Sequence, residues 1–128
     1  MDPVTMSYLG LDVSKTKVDC ALLLNNKMKS KVVQNTPEGF NALTQWLIKH
    51  GADRVHACCE ATGTYSDAIA LFLHEQGHVV SVVNPAQIAA YAQSQLSRAK
   101  TDALDARLIV RYCERERPAA WVPPPAEE

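Results

Sequence analysis

The chain has 128 residues, 47% of them hydrophobic and 21% charged, at a net charge of −1, which suits one packed domain and excludes a disordered chain or a globally basic nucleic-acid binder. No apolar run approaches the roughly 20 residues that span a bilayer, and the N-terminus lacks a secretion signal, so a cytoplasmic protein that stays off the membrane is expected. The four cysteines, Cys20, Cys58, Cys59 and Cys113, lack the paired spacing of a zinc site and are expected to be buried, reduced thiols.

Residues 1–5 carry no pattern and read as a remnant ahead of a domain over residues 6–117. Tyr8 to Val13 is apolar on both sides of the pleat and reads as a buried strand delivering Asp12 at its end. Val18 to Leu24 and Lys31 to Asn35 read as two more strands, separated by the turn-like Asn25, Asn26 and Lys27. Short links between three successive strands predict an antiparallel meander. Thr36, Pro37 and Glu38 then supply a cap, a proline at the first helical position and an early acid, opening a helix through Phe40, Leu43, Trp46 and Leu47 to Gly51.

Arg54 to Cys59 reads as a fourth strand, again ending in an acid, Glu60, before Ala61, Thr62, Gly63, Thr64 and Tyr65. A helix over residues 66–76 stops at Gly77, a fifth strand runs from His78 to Val83, and a weak helix follows Asn84 and Pro85. The polar stretch from Ser94 to Lys100 leads to a last helix from Thr101 to about Arg115. Pro118 ends it, and residues 118–128 form a proline-rich exit. The order predicts an α/β fold with a mixed sheet: three antiparallel strands, then parallel strands joined by helical crossovers.

Thr101 is a natural N-cap, which puts Asp102 and Asp105 in the first turns, three residues apart on one helix face. A wheel places them with Ala106, Ile109 and Cys113, the side expected to pack on the sheet. If the first and fourth strands are neighbours, Asp12 and Glu60 lie side by side at the same sheet edge, and the four acids converge. Clustered carboxylates repel unless a cation compensates them, and oxygen-only ligands suit magnesium or manganese, two ions of which can serve phosphodiester chemistry. The bland alternative is that each acid merely caps a helix or closes a strand.

Among the basic residues, Arg98 and Lys100 are best placed to hold a nucleic-acid backbone beside such a site. Thr62 opens a turn whose backbone amides could hold phosphate. Arg107, Arg111 and Arg115 recur every four positions on the side away from the aspartates, where a solvated face is the commoner meaning and a phosphate surface or partner interface the alternative. The histidines, His50, His56, His74 and His78, have no spacing that indicates a ligand set.

The set Gly10 to Lys15, Glu60 to Tyr65, Val83 to Pro85, Lys100 to Arg107, and Arg117 with Pro118 resembles the N-terminal domain of the IS110 family of bacterial insertion-sequence transposases, DEDD recombinases related to Piv-type invertases. The resemblance implies a ribonuclease-H-like (RuvC-like) fold, with Asp12, Glu60, Asp102 and Asp105 as catalytic, metal-binding acids for Mg2+ or Mn2+. It implies a role in DNA cleavage and strand transfer during transposition of a mobile element. Lys15, Thr62, Arg98, Lys100, Arg107 and Arg111 become candidate nucleic-acid contacts. It further implies DNA and a structured noncoding guide RNA as partners, a homo-oligomer, and a C-terminal domain carrying a serine nucleophile, without which this chain would not complete recombination. Two rivals are a noncatalytic nucleic-acid-binding or dimerisation module and a sugar-kinase or actin-like nucleotide-binding half; the latter wants a glycine after the strand-end acid, and Asp12, Val13, Ser14, Lys15 offers none.

Overall fold

Two tight reversals near the N-terminus set the sheet. The computed structural model describes residues 7–61, 63–94 and 106–123. Strands β1 (Ser7–Val13), β2 (Lys17–Leu24) and β3 (Lys27–Gln34) form the antiparallel meander that the sequence predicts. Asn25 and Asn26 take positive φ of 53° and 66°, the two-residue turn whose twist matches a hairpin and which asparagine tolerates. One boundary differs: β3 begins at Lys27 rather than Lys31. Its first half reads Lys27, Met28, Lys29, Ser30, Lys31, a polar pattern that hides a strand; lysines suit a sheet edge because they discourage further pairing.

Helix α1 (Pro37–Lys49) starts as expected, with the Thr36 hydroxyl accepting from Gly39 N at 3.1 Å, and it buries Phe40, Leu43 and Leu47. Gly51, at φ 76°, lets the chain leave the helix left-handed. The chain continues through β4 (Val55–Glu60), α2 (Asp67–Glu75), β5 (Val79–Val83), α3 (Pro85–Ser94) and α4 (Ala106–Glu116). β4 pairs parallel with β1 and β5 parallel with β4, giving the mixed order β3-β2-β1-β4-β5. Residues 101–105, where the last helix was expected to open, lie outside the described residues.

The two faces of the sheet are packed differently. Beneath α1 and α2, Leu9, Leu11, Val18, Leu22 and Val80 join Leu43, Leu47, Ile69 and Leu73 in one continuous core. Each fully buried leucine or valine contributes roughly 1.5–3 kcal/mol. On the opposite face, α3 and α4 pack through two smaller clusters, one around Cys58, Ile88, Ile109 and Cys113 and one around Ala21, Ala106 and Val110.

After α4 the chain does more than leave the fold. Trp121 N donates to Val80 O at 2.6 Å, and the Ser81 hydroxyl lies 3.0 Å from Pro118 O and 2.8 Å from Ala119 O. Trp121 packs against the main core and meets the His74 ring edge-on at 6.2 Å. Residues 118–121 thus form a strap along the outer side of β5, which the proline content alone did not suggest.

Candidate functional site

Parallel pairing aligns Gly10 with Cys58 and Leu11 with Cys59; one step further along the same register, Asp12 stands beside Glu60, the last residue of β4. Adjacent strands are about 4.8 Å apart, so two half-buried carboxyls face the same side at neighbouring positions. Burial, and then the Asp12 charge, raise the Glu60 pKa above the ordinary carboxylate value. The pair is poised to gain from a cation.

Gly10, two residues before Asp12, lies on the same face and carries α4 directly. A Cβ on Gly10 would come within 2.5 Å of Val110 N and 2.8 Å of Val110 Cβ, and closer still to Ala106 O. The absence of a side chain there, with Ala21 and Ala106 beside it, lets the helix backbone settle on the strand. At the other end of α4, the Cys113 thiol donates to His56 O, near the start of β4, at 3.5 Å. α4 therefore runs antiparallel to β1, with its Ala106 end toward the end of the sheet that bears Asp12 and Glu60.

Two contributors were not anticipated from the sequence. Asp19 of β2 pairs directly with Asp12, extending the acidic row to Asp19, Asp12 and Glu60 across three strands. The tight β1–β2 turn, in which Ser14 N donates to Lys17 O at 2.9 Å, fixes that register and was the signal to use. Asn35, just after β3, donates its side-chain amide to Ser14 O at 2.9 Å and to Tyr65 O at 3.1 Å, tying the turn that follows Asp12 to the turn that follows Glu60. Among the described residues, no group of three or more His, Cys, Asp or Glu is arranged to hold a metal ion.

Of the other expected site residues, Asp102, Asp105, Thr62, Arg98 and Lys100 lie outside the described residues. Lys15 is exposed in the turn beyond Asp12, and Arg107, Arg111 and Arg115 are exposed on α4. His78 Nδ1 accepts from Val55 N at 3.1 Å, and His56 Nε2 lies 2.8 Å from the Ser81 hydroxyl. Burial lowers both histidine pKa values, with Arg117 adding to the effect at His56 and Arg54 at His78; these are satisfied structural groups. All four cysteines are free and buried, and burial pushes the Cys20 and Cys59 thiols up to about 12, which leaves them unreactive.

Three comparisons place these features. Residues 9–128 match the profile of a transposase family, the DEDD transposases of IS110 type. The pilin gene-inverting proteins of Moraxella bovis and Moraxella lacunata are 37% and 36% identical to this chain over 122 residues, covering 94% of it but 38% of their own length. The chain thus spans well under half of these curated relatives. Among solved structures, RuvC from T. thermophilus in complex with a Holliday junction substrate superposes with a TM-score of 0.59 at 12% identity, over 88% of this chain and 96% of that one. The fold is therefore RuvC-like, of the ribonuclease-H kind, and no helix among the described residues is long and apolar enough to cross a membrane. By its sequence from residue 9 to residue 128, the chain belongs to the IS110-type family of DEDD transposases.

Proposed function

We propose that this chain is the metal-binding part of a transposase or site-specific recombinase active site that cleaves and transfers DNA strands. The observation that carries the reading is the placement of Asp12 beside Glu60, on the sheet face and at the sheet end toward which α4 begins. Asp105 immediately precedes Ala106 in the chain, Asp102 stands three residues before Asp105, and the two complete the proposed set of four acids. These oxygen donors suit Mg2+ or Mn2+, and two ions held between them would polarise the phosphodiester and assist both the attacking and the leaving oxygen. Asp12 and Glu60 hold the charge that such cations neutralise, Asn35 keeps their two turns in register, and Lys15 lies close enough in sequence to meet a phosphate beyond Asp12.

The DNA partner is supported by membership of a transposase family and by a fold shared with a protein solved on a Holliday junction. The reading extends to a guide RNA and a homo-oligomer in the longer proteins, and to a serine nucleophile supplied by residues outside this chain. Alone, the 128-residue chain is expected to bind metal without completing strand transfer.

Calorimetric titration with MgCl2 and MnCl2 tests the acids. Binding should occur in the parent chain and fall at least tenfold in Asp12→Asn and in Asp102→Asn. Equal affinity in the parent and both variants would refute the site.

A further inference from the structure

The outer margin of β3 sets out its backbone and its charge in one regular order. The β2–β3 ladder is antiparallel from Leu24↔Lys27 to Lys17↔Gln34, and just beyond it Asn35 N donates to Thr16 O at 3.0 Å. Bonded and non-bonded positions alternate along such a ladder, so Lys27, Lys29, Lys31 and Val33, in step with Asn35, turn their backbone groups inward to β2. Met28, Ser30 and Val32 turn theirs outward. Among the described residues no strand pairs with that side. Past Val32, α1 crowds the margin: a Cβ on Gly39 would come within 2.8 Å of Gln34 N and closer still to Gln34 O. The open stretch is therefore residues 28–32.

The side chains repeat with the same period. Lys27, Lys29 and Lys31 share the α1 face with the core residue Val33, while Met28, Ser30 and Val32 share the α4 face. β3 contains no acid to neutralise its lysines. Val32 is 58% exposed and lines, with Ser30 and Ala106, an open cleft of about 320 Å³. Successive lysines stand about 6.8 Å apart, which is the two-residue repeat of any strand laid alongside. Lysines at an edge keep a like-charged strand away, but they attract one that carries acids at the same repeat.

We propose that this margin takes up, as a sixth strand of the sheet, an extended acidic segment of a partner polypeptide. Asp or Glu at every second position of the segment would stand opposite Lys27, Lys29 and Lys31, with small apolar residues between them covering Val32. Backbone bonds to Met28, Ser30 and Val32 supply the pairing, and the lysine row selects the sequence. A phosphate chain would use the lysines alone, because the outward carbonyls repel it; a peptide strand uses the lysines, the N–H groups and the carbonyls together. Neither the carboxylate pair nor the function proposed above enters into this reading.

The test is amide hydrogen exchange by NMR on the whole chain in EDTA, with and without a short peptide of alternating Glu and Val. Exchange at Met28, Ser30 and Val32 should slow about tenfold when the peptide binds, while Lys29 and Lys31, whose amides already face β2, should change little. Combining Lys27→Gln, Lys29→Gln and Lys31→Gln should weaken peptide affinity about tenfold by fluorescence anisotropy. Lys27→Gln alone, at an exposed position, keeps the fold and should weaken it about twofold. The same peptide N-methylated along its pairing edge keeps its charge and should lose binding. No binding by the parent, equal affinity for the methylated peptide, or unchanged affinity in both lysine variants would each overturn the proposal. So would protection of the three outward amides by a short single-stranded DNA and not by the peptide.

Discussion

The two faces of the sheet are built on opposite terms. Under α1 and α2, large aliphatic side chains from all five strands and both helices interlock in one apolar core. Under α4, the contact is made by Gly10, Ala21 and Ala106, so the helix backbone itself lies on the strand and the polar ends of β1 and β4 emerge beside it. Bulk stabilises the first face; closeness defines the second. A fold that needs both a stable core and an exactable geometry can thus keep them on opposite sides of one sheet.

Leu43→Ala on the first face should cost about 2–5 kcal/mol in urea unfolding, because the site is fully buried and cannot collapse around the gap. Metal affinity should survive in the folded fraction. Gly10→Ala on the second face should cost about 1–3 kcal/mol by overpacking, and, unlike the leucine truncation, it should also weaken Mg2+ binding by calorimetry, since α4 must lift from β1. If Gly10→Ala destabilised the fold without touching metal affinity, the division of labour between the faces would fail.

Asn35→Ala should lower Mg2+ affinity about tenfold with a smaller loss of stability, because it frees two turns that carry no core side chains. Glu60→Gln should raise Tm by a few degrees in EDTA at neutral pH. The folded fold favours protonated Glu60, so its contribution is fully present below the ordinary glutamate pKa and is lost as pH rises through the raised value. The amide removes that loss, and added Mg2+ should stabilise the parent but not the variant. His56 and His78 act in the other direction: their folded pKa values lie below 6.5, so the stability they contribute is present above pH 6.5 and is lost as pH falls toward the lowered values. A thermal melt series from pH 7.5 to 5 should show that decline as the smallest of these effects.

The helix starts and strand ends were legible because their chemistry is local. Thr36, Pro37 and Glu38 announce α1 whatever surrounds them, and a strand ending in an acid before a turn can be recognised at Asp12 and at Glu60. What escaped depends on partners on neighbouring strands and turns. The first half of β3 looks like a lysine-rich loop until its pairing with β2 is known. Asp19 gains meaning only from lying opposite Asp12, and Asn35 only from reaching Ser14 and Tyr65 together. The adjacency of Asp12 and Glu60 followed from a conditional argument, that β1 and β4 are neighbours, which the sheet order satisfies. Asp102 and Asp105 rest on their spacing after Thr101 and on the family resemblance, as they fall outside the described residues.

The strap along β5 has a consequence for self-association. With Trp121 bonded to Val80, one margin of the sheet is occupied by its own chain, and among the described residues no strand pairs with the outer side of β3. A sheet extensible at both margins can polymerise without end; one extensible at a single margin can join only one other, margin to margin about a two-fold axis, and then stops. The Trp121–Val80 bond thus makes the β5 margin a poorer edge for further pairing, and the lysines of β3 add an electrostatic cost to pairing at the other margin.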